Sequence, residues 1–141
     1  MDTRIFVDAN VPMYAHGASH TYRQPCQASL QRITAENIPV VTSSEVVQEI
    51  IHRYLSLQRP RQAVQVASDF MTVVPSVLPA TQSDIEYVLR LIPSYPGLSA
   101  RDLLHVAVML NNDIAQILSA DAHFDQVEEV DRLDPASFAA Q

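Results

Sequence analysis

Four acidic residues stand in otherwise apolar frames along this chain: Asp8 in IFVDAN, Glu49 in TSSEVVQEI, Asp102 in SARDLLHVAV and Asp121 in LSADAHFD. Carboxylates are hard oxygen donors, and sites that handle phosphate hold magnesium-type cations through a few of them while leaving waters on the ion. Brought together, the four suit one divalent-metal site. Each also has a local alternative. Asp8 closes an apolar run, where an aspartate suits a turn or a helix cap. Asp102 follows Ser99 by three residues, the capping-box spacing, and an acid there also complements the helix dipole. Thr42 and Glu45 show the same spacing, which assigns Glu45 to capping and leaves Glu49, one turn on at the flank of an apolar stripe, to the metal. Asp121 and Asp125 are four apart, so Asp125 is either an auxiliary ligand or a solvated acid.

Other polar residues are open to two roles. Arg53, Arg59 and Arg61 cluster near one helix junction and suit bidentate phosphate contacts or a solvated helix end. His16 and His20 have the spacing of a helical metal pair, but Gly17 between them and loop-like surroundings argue against it. His105 and His123 lie close in sequence to the proposed ligands, where substrate contact, packing and ordinary surface roles are all open.

The elements that must position these residues alternate in type. Ile5-Phe6-Val7 reads as a buried strand closed by Asp8, followed by a helix capped by Asn10, tolerant of Pro12 and broken at Gly17. A polar helix over Tyr22 to Glu36 leads to a strand over Ile38 to Thr42. The Thr42/Glu45 pair opens a helix to about Gln58, Arg59-Pro60-Arg61 makes a turn, and another helix runs to about Met71. Thr72 to Leu78 reads as a third strand, and Ser83 with Glu86 as the capping box of a helix ending before Pro93. After the Ser94-Tyr95-Pro96-Gly97 turn, Ala100 to Leu110 is apolar on nearly every side and belongs in the interior. Ile114 to Leu118 reads as a central strand, Asp121 to Phe124 as a short turn or helix, and Val130 to Leu133 as an edge strand. Such alternation predicts a parallel sheet covered on both faces, with Asp8 and Asp121 at carboxyl ends of strands, where open α/β sheets carry their sites.

A chain of 141 residues that is 48% hydrophobic fits one domain, residues 1–141, with a core that needs no staples. No apolar stretch of membrane length and no secretory pattern is present, which predicts a soluble, cytoplasmic protein without membrane contact. Cys26 is the lone cysteine and reads as a spare thiol. A net charge of −7 argues against a broad basic face for nucleic acid, so any such contact must be local. All nine cations are arginine. Receiver-like phosphoacceptor domains and haloacid-dehalogenase-type phosphatases, which also set aspartates at strand ends around magnesium, need a lysine on the phosphoryl group; its absence, and a DAN in place of DxD, count against both.

In this order and at these distances, IFVDAN, TSSEVVQEI, SARDLLHVAVML and ILSADAHFDQVEEVDRLDP resemble the PIN-domain family, in particular the VapC-type toxin ribonucleases, over essentially the whole chain. The resemblance implies a three-layer α/β/α sandwich with a central, mainly parallel sheet, the family's acidic quartet at Asp8, Glu49, Asp102 and Asp121, and Asn10 as the polar residue two after the first acid. It implies an endoribonuclease dependent on Mg2+ or Mn2+, commonly a homodimer, that hydrolyses an RNA phosphodiester to leave a 5′-phosphate and is held inactive by a small antitoxin whose tail enters the acidic cleft. Val46, Val47 and the alanine-rich terminus are open to dimer or antitoxin contacts, and the valines equally to core packing. Two alternatives are a PIN-like RNA-processing nuclease outside any toxin–antitoxin pair and a non-catalytic interaction module that keeps its acids for capping and charge.

Overall fold

The computed structural model describes residues 3–141. Its elements are β1 (Ile5–Val7), α1 (Asn10–His16), α2 (Arg23–Ala35), β2 (Val40–Ser43), α3 (Ser44–Ser56), α4 (Pro60–Val73), β3 (Val77–Leu78), α5 (Gln82–Leu91), α6 (Ala100–Asn111), β4 (Gln116–Leu118), a 3-10 turn over Ala122–Gln126, β5 (Asp131–Leu133) and α7 (Pro135–Ala139). The five strands form one parallel sheet in the order β3-β2-β1-β4-β5, flanked by the helices. This is the expected α/β/α sandwich.

β1 is the middle strand, and the chain leaves it first toward β2 and β3, then returns to place β4 on its other side. With right-handed crossovers, that reversal puts helices on both faces and opens a crevice at the carboxyl ends of β1 and β4. The register Phe6↔Val41 and Phe6↔Ile117 aligns those ends. Beyond it the Asp8 amide donates to the Leu118 carbonyl at 3.1 Å, so Asp8 and the Ser119–Asp121 segment leave the sheet side by side. The sheet is sealed by apolar side chains with no water contact, Phe6, Val7, Ile117, Leu118, Ile50 and Phe70 among them. Val46 and Val47 belong to this core as well. α6 is buried from His105 through Met109, as its nearly continuous apolar sequence requires.

Several local expectations give way to neighbouring residues. Ser43, not Thr42, caps α3 by accepting the Val46 amide, because Thr42 is in the strand and donates its hydroxyl to the Val7 carbonyl. Glu45 is therefore free of capping. At α5 the box is Thr81 with Asp84 rather than Ser83 with Glu86, and buried Asp84 also accepts from Asn111. The third strand shrinks to Val77–Leu78: α4 continues to Val73, the Val74 amide still bonds Phe70, and Pro75 then prevents continuation. α7 lies beyond the last element expected from the sequence, yet carries the signals of a helix start, with Asp134 accepting the Ala136 amide and Pro135 in the first turn. With only two glycines in the chain, Asn37, Gln58 and Asp113 take the left-handed positions that follow α2, α3 and α6.

Candidate active site

Asp8 enters the crevice from the end of β1 already hydrogen-bonded on both oxygens. Oδ1 accepts the Ala9 amide at 2.8 Å, while Oδ2 accepts the Ser119 hydroxyl at 2.7 Å and the Asn10 amide nitrogen at 3.1 Å. Asn10 is the first residue of α1 and not its cap; its side chain ties Asp8, Ser119 Oγ and the Ala120 amide together across the β1–β4 gap. Asp8 is 5% exposed. Burial pushes its carboxyl up to about 6, against the pull of His105 and the Ser119 hydrogen bond.

Glu49 arrives from α3 and meets His105, which projects from buried α6. His105 Nε2 lies 3.2 Å from Glu49 Oε1 and 3.8 Å from Asp8 Oδ1. Burial alone would lower the imidazole pKa, but the hydrogen bond to Glu49 and the charges of Asp8, Glu49 and Asp102 outweigh it and raise it. Its Nδ1 is buried without a partner, so the Nε2–H tautomer, donating to Glu49, leaves the cheaper orphan, an acceptor. Arg101, one residue before Asp102, reaches Glu45 at 3.4 Å and Glu49 at 4.0 Å.

Asp102 and Asp121 form the outer side. Ser99 caps α6 through the Asp102 amide, so capping and a place at the site coexist in one turn. The Asp102 carboxyl is raised by burial and by the charge of Asp121, and it feels His105 and Glu49 as well. Asp121 follows β4, donates its amide to Ser119 Oγ and accepts the His123 amide, with His123 Nδ1 at 3.1 Å. Among the described residues, the donor atoms of Asp8, Glu49 and His105 all lie within 4.8 Å of one another, as do those of Asp102, Asp121 and His123.

Asp125 stands apart. Arg132 grips both of its oxygens at 2.9 and 3.1 Å, and that hydrogen bonding lowers its pKa. Arg53 and Arg59 line a groove that begins at Asn10 and Glu49, and Arg61 does not. His16 and His20 do not form a pair: His16 bonds the Pro12 carbonyl and faces Asp69, and His20 stacks on Tyr14. Cys26 is buried in the core, which lifts its thiol to about 12 and leaves it inert. Sequence reasoning missed Arg101, Glu45 and Ser119, and left the place of His105 open. The available signal was spacing: His105 is one turn after Asp102 on the same helix, and Ser119 is two residues before Asp121.

A PIN domain profile matches residues 5–130. The chain belongs to the PIN-domain family. Ribonuclease VapC13 of Mycobacterium tuberculosis is 42% identical over 130 residues, covering 92% of this chain and 98% of that protein. Among solved structures, Mycobacterium tuberculosis VapC20, a sarcin-ricin-loop-cleaving toxin, superposes with a TM-score of 0.72 at 23% identity, covering 88% of this chain and 95% of that one. A chain from a toxin–antitoxin complex of Klebsiella pneumoniae superposes at 0.64 with 12% identity, covering 93% and 97%. These last two likenesses extend the PIN fold across most of both chains.

Proposed function

We propose that the protein is a PIN-domain endoribonuclease dependent on Mg2+ or Mn2+ and the toxin of a type II toxin–antitoxin pair. The observation that carries the proposal is the meeting of Asp8 and Glu49 at the β1–β4 crevice, with Asp8 raised to about 6 by burial, in a chain 42% identical to a VapC ribonuclease. The donors fit a hard divalent cation: carboxylate oxygens from Asp8 and Glu49 beside His105 and from Asp102 and Asp121 beside His123, no sulfur, and a buried acid whose charge is under-compensated by the protein alone. When bound, such an ion activates water for attack on the phosphodiester and offsets charge on the transition state. The chain's own residues do the positioning. Ser119 and Asn10 hold one oxygen of Asp8, the Ala9 amide holds the other, and His105 orients Glu49 toward it. Arg101, 40% exposed at the rim, is placed to meet an incoming phosphate as an alternative to Glu45.

A cytoplasmic location accords with the absence, among the described residues, of any helix able to cross a membrane. A homodimer is supported by the exposed apolar side chains of Ile85, Leu89 and Ile92, spaced along one side of α5 and its end. An antitoxin partner is supported by the VapC name of the relative and by the fold shared with a protein solved in a toxin–antitoxin complex. The test is direct: purified protein, freed of any partner, cleaves structured RNA with Mn2+ and leaves 5′-phosphate ends, and a folded Asp8→Asn variant does not. Equal cleavage by both would assign the activity to a contaminant. An RNA-processing role in place of the toxin role predicts that expression of the active chain leaves growth unaffected.

A further inference from the structure

A groove of ≈ 950 Å³ runs away from the acids, with α1 on one wall and α3 and the start of α4 on the other. It begins at Asn10 and Glu49, so it is continuous with the acidic centre. In a chain of net charge −7, three arginines and a single carboxylate line it. Arg101 is engaged by Glu45 and Glu49, but the exposed guanidiniums of Arg53 and Arg59 are committed to no ion pair among the described residues. Such local positive charge in an acidic protein marks the path of a polyanion.

The α1 wall adds a second chemistry. Tyr14, one helical turn beyond Asn10, lines the groove and stacks on His20 at 4.5 Å between ring centroids, with Tyr22 at 5.6 Å. The Tyr22 hydroxyl donates to Asp134 at 2.6 Å, which anchors the aromatic group to the cap of α7. Aromatic faces beside a cationic track are the means by which proteins hold single strands, because every unpaired base offers a π-face. A duplex keeps its bases inside and offers these rings nothing.

We infer that this groove seats an unpaired RNA strand to one side of the scissile phosphate, with the Tyr14 aromatic group taking a base and Arg53 and Arg59 taking backbone phosphates. The inference rests on the nuclease reading for the identity of the ligand, and its test is separate from catalysis. Metal-free protein in chelator is titrated against a fluorescein-labelled ten-nucleotide single strand and against a blunt duplex of the same sequence, by fluorescence anisotropy at several salt concentrations. The single strand binds at least tenfold tighter. Tyr14→Ala weakens it about tenfold, in line with the loss of one stacked base, and Tyr14→Phe stays within twofold. Arg53→Gln with Arg59→Gln, both on the surface and harmless to folding, lowers the log–log salt slope by roughly 1.4, for two single-strand phosphates. Equal affinity for strand and duplex overturns the inference. So does unchanged RNA affinity in both the Tyr14→Ala and the double-arginine variants, which leaves the groove to a protein ligand. If wild-type protein cleaves RNA with Mn2+ while those variants bind unchanged, the groove assignment alone falls.

Discussion

Asp8, Glu49 and His105 make the closed half of the acidic centre, with Asp8 5% exposed and His105 entirely buried. Asp102, Asp121 and His123 make an open half, in which the Asp121 and His123 side chains are 32% and 64% exposed. The residue types are nearly the same, two carboxylates and an imidazole, and the environment separates them. In the closed half, removal from water raises the cost of negative charge, and the protein compensates with a buried imidazole and a lattice of hydrogen bonds around Asp8. In the open half, solvent does much of that work, and Asp121 also caps a 3-10 turn. Uncompensated negative charge is thus costlier in the closed half, and the open half is the one that solvent reaches.

Substitution of the two strand-end aspartates breaks this comparison most sharply. Asp8→Asn should lower Mn2+-dependent RNA cleavage by roughly a thousandfold, the equivalent of several kcal/mol of lost transition-state stabilisation. It should also shift the melting temperature of the metal-free protein, because a buried charge disappears while the new amide sets a donor against either the Ala9 amide or the Asn10 side chain. Asp121→Asn should cost less activity and leave the metal-free melting temperature where it was. Equal losses and equal melts would erase the distinction between the halves.

Stability against pH sharpens it next. The Asp8 carboxyl moves from 3.8 to about 6 on folding. A group that holds its proton more tightly when folded stabilises the protein below its unfolded value and loses that contribution as pH rises through the folded one, here roughly 3 kcal/mol between about pH 4 and 6. His105, also raised, acts in the same sense at higher pH. Urea melts of metal-free protein should therefore show stability falling across this window, with a shallower fall in Asp8→Asn. Saturating Mn2+ should abolish the fall, adding about 2.7 kcal/mol at a hundred times its dissociation constant. An identical slope in wild type and Asp8→Asn would remove the burial argument.

His105 tests whether the closed half is positioned or merely packed. The ring lies 5.8 Å from Phe6, and His105→Phe keeps an aromatic ring in that packing but loses the Nε2 hydrogen bond. Calorimetry should show Mn2+ affinity falling by roughly 10- to 100-fold, with partial recovery in His105→Gln, which restores an N–H donor. The smallest effect is expected outside both halves. Asp125→Asn removes an exposed pair with Arg132 and should leave cleavage within about twofold and stability within about 1 kcal/mol. A large loss of metal affinity there would return Asp125 to the site.

The layered fold and its parallel sheet were legible because buried strands such as Ile5–Val7 and Ile117–Leu118 alternate with helices whose apolar stripes are plain. The caps were less so. Thr42 and Ser43 are adjacent hydroxyl residues that differ only in which one the sheet captures, and the choice depends on the Val7 carbonyl 35 residues away. The four acids could be singled out because each interrupts an apolar frame, yet the bonds that hold them could not. Ser119 and Asn10 acquire their roles only when β4 lies beside β1, and His105 looks like one polar residue in a core helix until α3 brings Glu49 to it. Arg101 reads as a surface cation because its carboxylate partners are more than fifty positions earlier in the chain.

The hydrogen bond from Ser119 to Asp8 spans 111 positions. During synthesis Asp8 and Glu49 emerge early, but the crevice between the middle strand and its late neighbour exists only after β4 has been made and inserted. A partial chain carries acids without a site. Synthesis must therefore pass β4 before the crevice can exist, and a chain cut short of it lacks the Asp8–Ser119 bond.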